Sequence, residues 1–346
     1  MTSGSTPGRV EGTLSLLSVV VIGRNEGERL RRCLQSVSRM THPGFDVEVL
    51  YVDSGSVDGS LALAEAEGAR CIALEPERPS AALGRNAGWR AAKGSLILFL
   101  DGDTVLHPEF VAASLDAFSS EKVAVVWGHR RELYPEHSLY NRVLDLDWIY
   151  AAGETMYCGG DALFRRSVLE ETQGFDEMLI AGEEPELCRR IAALGSTILH
   201  VDHPMTGHDL AITRWRQYWK RSTRAGHAFA EVSERLQNQE YPFWSDESRR
   251  NRNRALFLLG LCFAGIAGSV WLANFLPVLF VGLFFLVLAV RSAWKARWKS
   301  KDWVALFFFG VHSHLQQIPI YYGQLQYRRS RRRGERVRLL EYKQPR

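Results

Sequence analysis

The chain contains few cysteines, and their arrangement suits neither a zinc site nor a disulfide framework. The five cysteines among 346 residues are scattered, odd in number and without a Cys-x-x-Cys pair. A reducing compartment is therefore the expected setting. The first residues are rich in Ser, Gly and Thr and lack the apolar core of a signal peptide, so we predict a disordered leader over residues 1–14.

Two nucleotide-binding signatures are also absent from the sequence. No Gly-x-Gly-x-x-Gly fingerprint follows the first predicted strand, and Gly-x-x-x-x-Gly-Lys-Ser/Thr occurs nowhere, which argues against a dinucleotide-binding fold and a P-loop. The excess of positive charge is small, with a formal net charge of +4 and a pI near 8.8. This charge is too mild to indicate a nucleic-acid partner, and we expect none.

Apolar runs and amphipathic stretches alternate through the first hundred residues. A β-branched run at 16–22 predicts a strand, and Leu30, Cys33, Leu34 and Val37 then follow at helical spacing. Further strands are predicted at 47–52, 71–74, 96–100, 123–127 and 198–201, and further helices at 58–68 and 81–93. This alternation indicates an α/β fold with a parallel sheet and right-handed crossovers.

One strand and the residues after it organise the predicted sheet. Five consecutive apolar residues at 96–100 indicate a strand buried on both faces, which runs into Asp101-Gly102-Asp103. The two acids therefore stand at the carboxyl end of a strand, the edge of an open α/β sheet where ligands bind. Two carboxylates one residue apart can hold a hard divalent cation against substrate phosphates. An acidic turn that only closes the strand is the alternative.

Polar residues follow the first two strands at the same predicted edge. Asn25 and Glu26 come after the first strand, and Asp53 stands directly after the second, where its carboxylate could accept a hydrogen bond from a base or ribose. This pattern favours nucleotide binding. Each acid could instead cap the N-terminus of a helix, and for Asp58 we expect that capping role.

The order and spacing of these pieces resemble the family-2 inverting glycosyltransferases of the GT-A fold, from the first strand to about residue 230. The resemblance is carried by 19–26 (VVVIGRNE), 52–60 (VDSGSVDGS), 84–88 (GRNAG) and 99–103 (FLDGD). It implies a Rossmann-like, mostly parallel sheet with flanking helices.

The same resemblance implies a nucleotide-diphosphate sugar donor, which we expect to be a UDP-sugar, and a divalent metal, Mg or Mn. The donor would be bound by a set of loop and helix residues: Arg24, Asn25, Glu26, Asp53, Arg85, Asp101, Arg221 and Arg224. Asp103, together with Asp101 and His208, would hold the metal. For His208 a solvated or capping role is the alternative, because it is a lone histidine in a predicted loop.

Two adjacent acids are the expected catalytic pair. The family usually carries Glu-Asp at a helix start, with the second acid as general base, whereas this chain has Glu183-Glu184. The change keeps the carboxylate and lengthens its reach by one methylene, so we expect Glu184 to act as the base with Glu183 beside it. Acids that only complement the dipole of a helix are the alternative.

Cations and aromatic residues interleave between residues 214 and 226, which predicts a further helix. From this helix Arg221 and Arg224 could reach a donor diphosphate or a lipid diphosphate. We expect its aromatic side chains to pack against the sheet or the membrane surface.

No charged residue occurs between Ala255 and Val290, and both ends of this stretch are basic. Its length suits a tight pair of transmembrane helices of about 18 residues each, with a turn near 274–277. By the positive-inside rule both ends would be cytoplasmic, which places the preceding domain in the cytoplasm, at the inner membrane of a cell. A hairpin buried in a soluble core is the alternative.

A third apolar stretch at 303–323 is interrupted by polar residues and a proline, and an arginine-rich tail follows it. A further crossing would carry the tail outside, so we predict a re-entrant or interfacial segment with the tail on anionic lipid headgroups. A solvated, disordered tail is the alternative.

The predicted organisation is a disordered leader (1–14), a GT-A domain (15–248), a transmembrane hairpin with basic flanks (249–302) and an interfacial segment with a basic tail (303–346). The expected activity moves a sugar to a membrane-held acceptor, a polyprenyl-linked glycan or other saccharide, in envelope or exopolysaccharide synthesis. Two alternatives stay open: a sugar-1-phosphate nucleotidyltransferase and a non-catalytic scaffold that has kept the fold.

Overall fold

A mixed sheet dominates the first two-thirds of the chain in the computed structural model, which describes residues 14–42, 44–238 and 242–334. Within these ranges the strands are β1 (Leu16–Gly23), β2 (Asp46–Asp53), β3 (Arg70–Ala73), β4 (Leu96–Asp101), β5 (Thr104–Leu106), β6 (Val123–Glu132), β7 (Gly153–Thr155), β8 (Ala162–Arg165) and β9 (Thr197–His208). The predicted leader falls almost entirely on residues 1–13, outside the described residues.

The sheet is mostly parallel, as the sequence predicts. The strand order is β3-β2-β1-β4-β8-β6-β9-β5, and β7 pairs with β9. Strands β1 to β4 run parallel, and β6 and β9 are parallel to each other. Strand β8 is antiparallel to both β4 and β6, and β5 and β7 are antiparallel to β9.

Helices flank the sheet and continue beyond it. They are α1 (Glu28–Ser38), α2 (Ser60–Ala66), α3 (Ala81–Ala91), α4 (Phe110–Ser114), α5 (Leu139–Asp145), α6 (Arg166–Thr172), α7 (Glu183–Ala193), α8 (Trp215–Arg235), α9 (Ser245–Trp271), α10 (Leu276–Lys295), α11 (Trp303–Leu315) and α12 (Gln317–Arg332). On α1 all four residues that the helical spacing assigned to the core are buried. Asp58 accepts hydrogen bonds from the backbone and hydroxyl of Ser60, the first residue of α2, but Gly59 is the N-cap residue, so the expected N-cap role of Asp58 is wrong.

The core lies between the sheet and these helices. Apart from half-buried Leu16, the apolar residues of β1 and β4 are buried on both faces, which is the burial that continuous apolar runs predict. Phe99 on β4 packs edge-on against Phe164 and Phe175, with ring centroids 5.4 Å away in each case. This packing fixes the end of β4, and with it the position of Asp101.

Two strands are longer than their sequence predicts. Strand β6 continues past Trp127 to Glu132, and β9 continues past Val201 to His208. Both extensions carry polar and charged residues, so they lack the apolar pattern that predicts a strand. The two extensions nevertheless pair with each other, with a register shift between them and the preceding residues. His208 therefore ends a strand and is buried, so the loop placement and the solvated alternative for this residue are wrong.

Helices α9 and α10 form the predicted hairpin, with its turn between Trp271 and Leu276. Both are long and apolar enough to cross a membrane, and only 17% and 11% of their most apolar segments are buried. The alternative of a hairpin buried in a soluble core is therefore wrong.

The third apolar stretch is divided between two helices. The break falls at Gln316 because Pro319 has no N–H to bond the carbonyl of Leu315. Helix α12 then lies against α8, where a Cβ added to Gly226 would stand 1.9 Å from the carbonyl oxygen of Ile320. At the tail, Arg328 and Arg331 pair with Glu234 of α8, while Arg336 and Arg338 lie outside the described residues.

Candidate active site

The carboxyl ends of three adjacent strands bring the predicted acids to one edge of the sheet. In the register of the sheet, Asp53 lies beside Gly23 and Asp101 lies beside Ile22, on opposite sides of β1. Two inter-strand spacings separate their backbones by roughly 10 Å. This edge is the one that the sequence predicts for the ligand.

Asp53, which is predicted to bind the base or ribose of a nucleotide, also organises the loop that follows β2. One of its carboxylate oxygens accepts the hydroxyl of Tyr51 at 2.9 Å, and the other accepts the backbone N–H groups of Gly55 and Ser56 at 3.0 and 2.7 Å. The Ser56 hydroxyl in turn accepts the N–H of Asn25 at 2.8 Å. The loops after β1 and β2 are thereby held together.

The other predicted donor residues of the first loop lie on the same edge. Arg24 is exposed there, Asn25 has a left-handed backbone with φ of 57°, and Glu26 pairs with buried Arg29 at 2.8 Å. The Asn25 side-chain oxygen accepts the N–H of Val57 at 2.8 Å, which is a second link between the two loops.

Arg85 joins three of the predicted site carboxylates. Its guanidinium is fully buried and lies 2.9 Å from Asp101, 3.0 Å from Glu183 and 3.0 Å from Glu184. These contacts connect helix α3, the end of β4 and the start of α7. A buried cation among three carboxylates compensates charges that could not otherwise remain ionised away from water.

Gly160 leaves space above this charge cluster. A Cβ at this position would stand 2.5 Å from the Arg85 guanidinium, 2.9 Å from the Asp101 carboxylate and 3.2 Å from the Glu184 carboxylate. Any larger residue would therefore crowd the side chains of Arg85, Asp101 and Glu184.

Glu184 has the ionisation behaviour of a general base. Burial, reinforced by the neighbouring charges of Glu183 and Asp101, raises the pKa of Glu184 to about 7, while Arg85 opposes the shift. A carboxylate with this pKa can accept a proton near neutral pH and hold it more firmly than a solvated glutamate does.

Asp103 and His208 come together at the ends of β4 and β9. The Nε2 atom of His208 lies 3.4 Å from the nearer carboxylate oxygen of Asp103, and both residues are buried. Burial and the positive charges of Arg130 and Arg221 lower the pKa of His208 well below its usual value, so its ring is neutral.

The pair fits part of a metal site. A carboxylate oxygen and a neutral imidazole nitrogen at this separation can both bind one divalent ion, which would take further oxygen ligands from a diphosphate. The carboxylate of Asp101, the third predicted metal ligand, lies 2.9 Å from Arg85 and 3.7 Å from Arg130. Across residues 14–42, 44–238 and 242–334 no three His, Cys, Asp or Glu side chains lie close enough to hold an ion by themselves.

Two further charged residues adjoin these acids, and neither is among the residues that the sequence predicts for the site. Arg130 stacks over the ring of Trp148 at 4.9 Å and lies 3.7 Å from both Asp101 and Asp161. Asp161 accepts the backbone N–H of Asp101 and the hydroxyl of Thr206, each at 2.9 Å. Arg130 could not be predicted for the site because it lies on the extension of β6 beyond the strand predicted at 123–127.

The two arginines of helix α8 have different surroundings. The positive charge of Arg221 helps to lower the pKa of His208, after burial and Arg130, and, after His312, the pKa of Asp147. Arg224 donates a hydrogen bond to the backbone carbonyl of Ile180 at 3.2 Å, ahead of α7. The structure therefore brings Arg221 to the site, whereas Arg224 supports the segment that leads to the catalytic pair.

Comparison with known proteins agrees with this geometry. Residues 96–309 match the family described as glycosyl transferase family group 2, and residues 18–173 match glycosyl transferase family 2. Among solved structures, the mannosyltransferase PcManGT from Pyrobaculum calidifontis, in complex with GDP-Man and Mn²⁺, has a TM-score of 0.64 at 18% identity, covering 89% of this chain and 86% of that chain. At this identity, the similarity to PcManGT shows a common fold and not a common substrate.

Two curated relatives carry related names. Glycosyltransferase AglE of Haloferax volcanii is 27% identical over 195 residues, which is 54% of this chain and 64% of AglE. The pre-mycofactocin glycosyltransferase of Mycobacterium tuberculosis is 25% identical over 243 residues, which is 65% of this chain and 49% of that protein. The chain thus spans about half to two-thirds of these relatives. With its family match, its sheet order and its carboxylate edge, the chain belongs to the family-2 glycosyltransferases and has the GT-A fold.

Proposed function

We propose that the chain transfers a sugar, with inversion, from a nucleotide-diphosphate sugar to a hydroxyl group of an acceptor held at the membrane surface. A UDP-sugar is the donor we expect, and a polyprenyl-linked glycan of envelope or exopolysaccharide synthesis is the acceptor. The observation that carries the proposal is the Glu184 carboxylate, which pairs with buried Arg85 at 3.0 Å and lies beside Gly160, where a Cβ would stand 3.2 Å from it.

The proposed reaction is a single displacement at the anomeric carbon. Glu184 takes the proton of the acceptor hydroxyl, the acceptor oxygen forms the new glycosidic bond, and the bond from the anomeric carbon to the diphosphate breaks with its electron pair on the diphosphate. Attack from the face opposite the leaving group inverts the configuration. No nucleophilic side chain takes part, and Arg85 holds Glu184 in position throughout.

The leaving diphosphate needs positive charge. Arg130 and Arg221 bring two guanidinium groups to the side of the site where Asp103 and His208 lie, as their effect on the pKa of His208 indicates. Asp103 and His208 would hold the divalent ion, for which the Mn²⁺ bound by PcManGT makes manganese the first choice to test. When bound, such an ion supplies Lewis-acid stabilisation of the diphosphate oxygens.

The membrane setting of the acceptor rests on the hairpin. Helices α9 and α10 expose apolar surface, both ends of the hairpin are basic, and Lys299 beyond it donates a hydrogen bond to the carbonyl of Leu146 at 2.7 Å. Trp148, which stacks on Arg130, is two residues further along. This continuity supports a cytoplasmic, multi-pass enzyme whose site opens beside the bilayer.

Replacement of the proposed base tests the activity. Glu184→Gln keeps the shape of the side chain and removes its ability to accept a proton, so we expect turnover to fall by about 10²- to 10⁴-fold while the affinity for nucleotide stays nearly the same. Donor hydrolysis and transfer to a lipid-linked acceptor would be measured with manganese present, over a panel of UDP- and GDP-sugars.

The same assay separates the alternatives. Unchanged turnover in Glu184→Gln would clear Glu184 of the role of base. Donor synthesis from a sugar phosphate and a nucleoside triphosphate would indicate a nucleotidyltransferase. Absence of both activities in the unaltered chain, with every donor in the panel, would favour the non-catalytic scaffold.

A further inference from the structure

A cavity of about 410 Å³ opens between helices α9, α10 and α11, on the far side of α11 from the proposed active site. Its wall combines cationic, hydroxyl and apolar side chains: Arg254, Phe257, Leu258, Leu288, Arg291, Ser292, Lys295, Ser313 and His314. No mechanism proposed above uses these residues. The volume is in the range of small-molecule sites in proteins.

The cavity carries positive charge without a compensating acid. Arg254, Arg291 and Lys295 line it, and no carboxylate does. Across the described part of the chain none of these three makes an ion pair with an acid, unlike Arg249 and Arg250 one turn earlier, which pair with Asp246 and Glu247. A concave surface of this kind attracts an anion.

The polar groups of the cavity lie at one level of the hairpin. Arg254 directly precedes the uncharged stretch of α9 and α10, and Arg291 directly follows it. Ser292 and His314 are hydrogen-bonded at 3.0 Å, which puts α11 at the same level. If the hairpin spans a bilayer, this level is that of the lipid headgroups, because the helix rise from the turn is about 26 Å along α9 and about 23 Å along α10.

The apolar part of the wall continues toward the lipid side. Phe257 lies one turn into the apolar stretch and 56% of its surface is exposed, and Leu258 and Leu288 line the cavity beside it. An occupant with a charged head and apolar chains would therefore contact cations at one end and these side chains at the other.

The opposite face of α11 is occupied by the catalytic domain. His312, two residues before His314, contacts the Tyr218 hydroxyl at 2.8 Å and the Asp147 carboxylate at 3.1 Å. Residues two apart on a helix point to opposite sides. The cavity thus faces away from the donor cleft, which favours a resident lipid over a reacting acceptor.

We propose that this cavity binds the phosphate headgroup of an anionic bilayer phospholipid, held by Arg254, Arg291 and Lys295 while its acyl chains lie along Phe257 and Leu288. The inference rests on the proposed membrane placement of the hairpin. It does not depend on the sugar donor or on the acceptor.

Native mass spectrometry of the full chain in detergent tests the proposal, with phosphatidylglycerol and phosphatidylcholine as probes. We expect one phosphatidylglycerol to be retained for each chain, with about tenfold preference over phosphatidylcholine. The double variant Arg254→Gln/Arg291→Gln should weaken retention about 30-fold, since each basic residue near an anionic headgroup contributes about fivefold.

Two matched variants control for general charge and for folding. Arg250→Gln/Lys301→Gln removes the same charge from exposed positions outside the cavity and should retain the lipid. Arg254→Lys/Arg291→Lys keeps the charge in the cavity and should also retain it. Equal loss in the two glutamine variants would overturn the proposal in favour of diffuse attraction.

Competition distinguishes the sources of phosphate. Displacement of phosphatidylglycerol by inorganic phosphate at a matched concentration would overturn the lipid assignment and leave a free-anion site. One-for-one displacement by a polyprenyl phosphate at equal concentration would overturn it in favour of the acceptor. Because lipid retention is measured without donor, its failure alongside intact transferase activity would reject this inference and leave the proposed function standing.

Discussion

Strand β4 and helix α10 are both continuous apolar runs, but the side chains of β4 are buried and most of those of α10 are exposed. Phe99 on β4 is completely buried under the aromatic cluster, whereas Phe280 on α10 is 67% exposed. The strand excludes water by packing inside the domain, while the helix presents its apolar side chains outwards on a surface that only a bilayer or another apolar partner would cover. An apolar run of either length is expected to avoid water. The short run of β4 does so inside the protein core, whereas the run of α10 is long enough to cross a bilayer.

Charge shows the same contrast. Inside the domain the Arg85 guanidinium contacts three carboxylates, whereas at the end of the hairpin Arg254, Arg291 and Lys295 face a cavity that no carboxylate lines. A buried charge is stabilised only by partners within the fold. A charge at a membrane surface can instead be compensated by lipid, which is the partner that we propose for these three residues.

The largest effect is expected from removal of the buried cation. Arg85→Met leaves three carboxylates without their shared partner, and we expect a loss of about 3 to 5 kcal/mol in the free energy of unfolding together with loss of turnover. Arg250→Met, at an exposed ion pair beside the hairpin, should cost less than about 1 kcal/mol. Urea unfolding in detergent, followed by circular dichroism, compares the two. Equal costs would contradict the assignment of Arg85 as the centre of the site.

A pair of phenylalanine substitutions tests the contrast between core and hairpin directly. Phe99→Ala should lower the free energy of unfolding of the domain by about 3 to 5 kcal/mol, because it opens a cavity among Phe164 and Phe175. Phe280→Ala should leave domain unfolding unchanged and weaken partition of the chain into vesicles. If both variants destabilise the domain alike, the hairpin packs inside the protein and the proposed membrane placement is wrong.

A pair of glycine substitutions tests how the terminal helices attach to the domain. A side chain at Gly226 would collide with the backbone of Ile320, so Gly226→Leu should cost about 1 to 3 kcal/mol and loosen α12 from α8. Gly260 on α9 has no atom within 4 Å of its Cβ position, and Gly260→Leu should be neutral. The rate of limited proteolysis after residue 316 would measure how far α12 detaches from α8. Equal proteolysis of both variants would contradict the close packing of α8 on α12 at Gly226.

The mildest perturbation is a change of pH, because it alters no residue of the chain. Because the pKa of Glu184 is raised to about 7, its carboxylate form is lost as the pH falls, and kcat should decline about tenfold for each pH unit below 7. Above 7 the rate should level off. A rate that stays constant down to pH 5 would show that Glu184 has the pKa of a solvated glutamate and is not held in the buried cluster.

Much of the fold followed from local patterns. The strands at 16–23, 46–53 and 96–101 are buried runs bounded by turn residues, and the amphipathic helix after the first strand has one apolar face. Such patterns depend on near neighbours in the chain. The extensions of β6 and β9 could not be predicted in this way, since Arg130 and His208 lie on polar strand ends that are held only by pairing with each other.

In the candidate site, too, some features follow from local sequence and others depend on tertiary contacts. The sequence alone determined that Asp53, Asp101 and Asp103 follow buried strands, and hence that they meet at one edge of the sheet. Only the tertiary structure decided that Asp101 contacts Arg85, and that Arg85 also contacts Glu183 and Glu184 from nearly a hundred residues away. The physical reason is that hydrophobic periodicity acts over a few residues, whereas the partner of a buried charge depends on which distant elements the closed core brings within hydrogen-bonding distance.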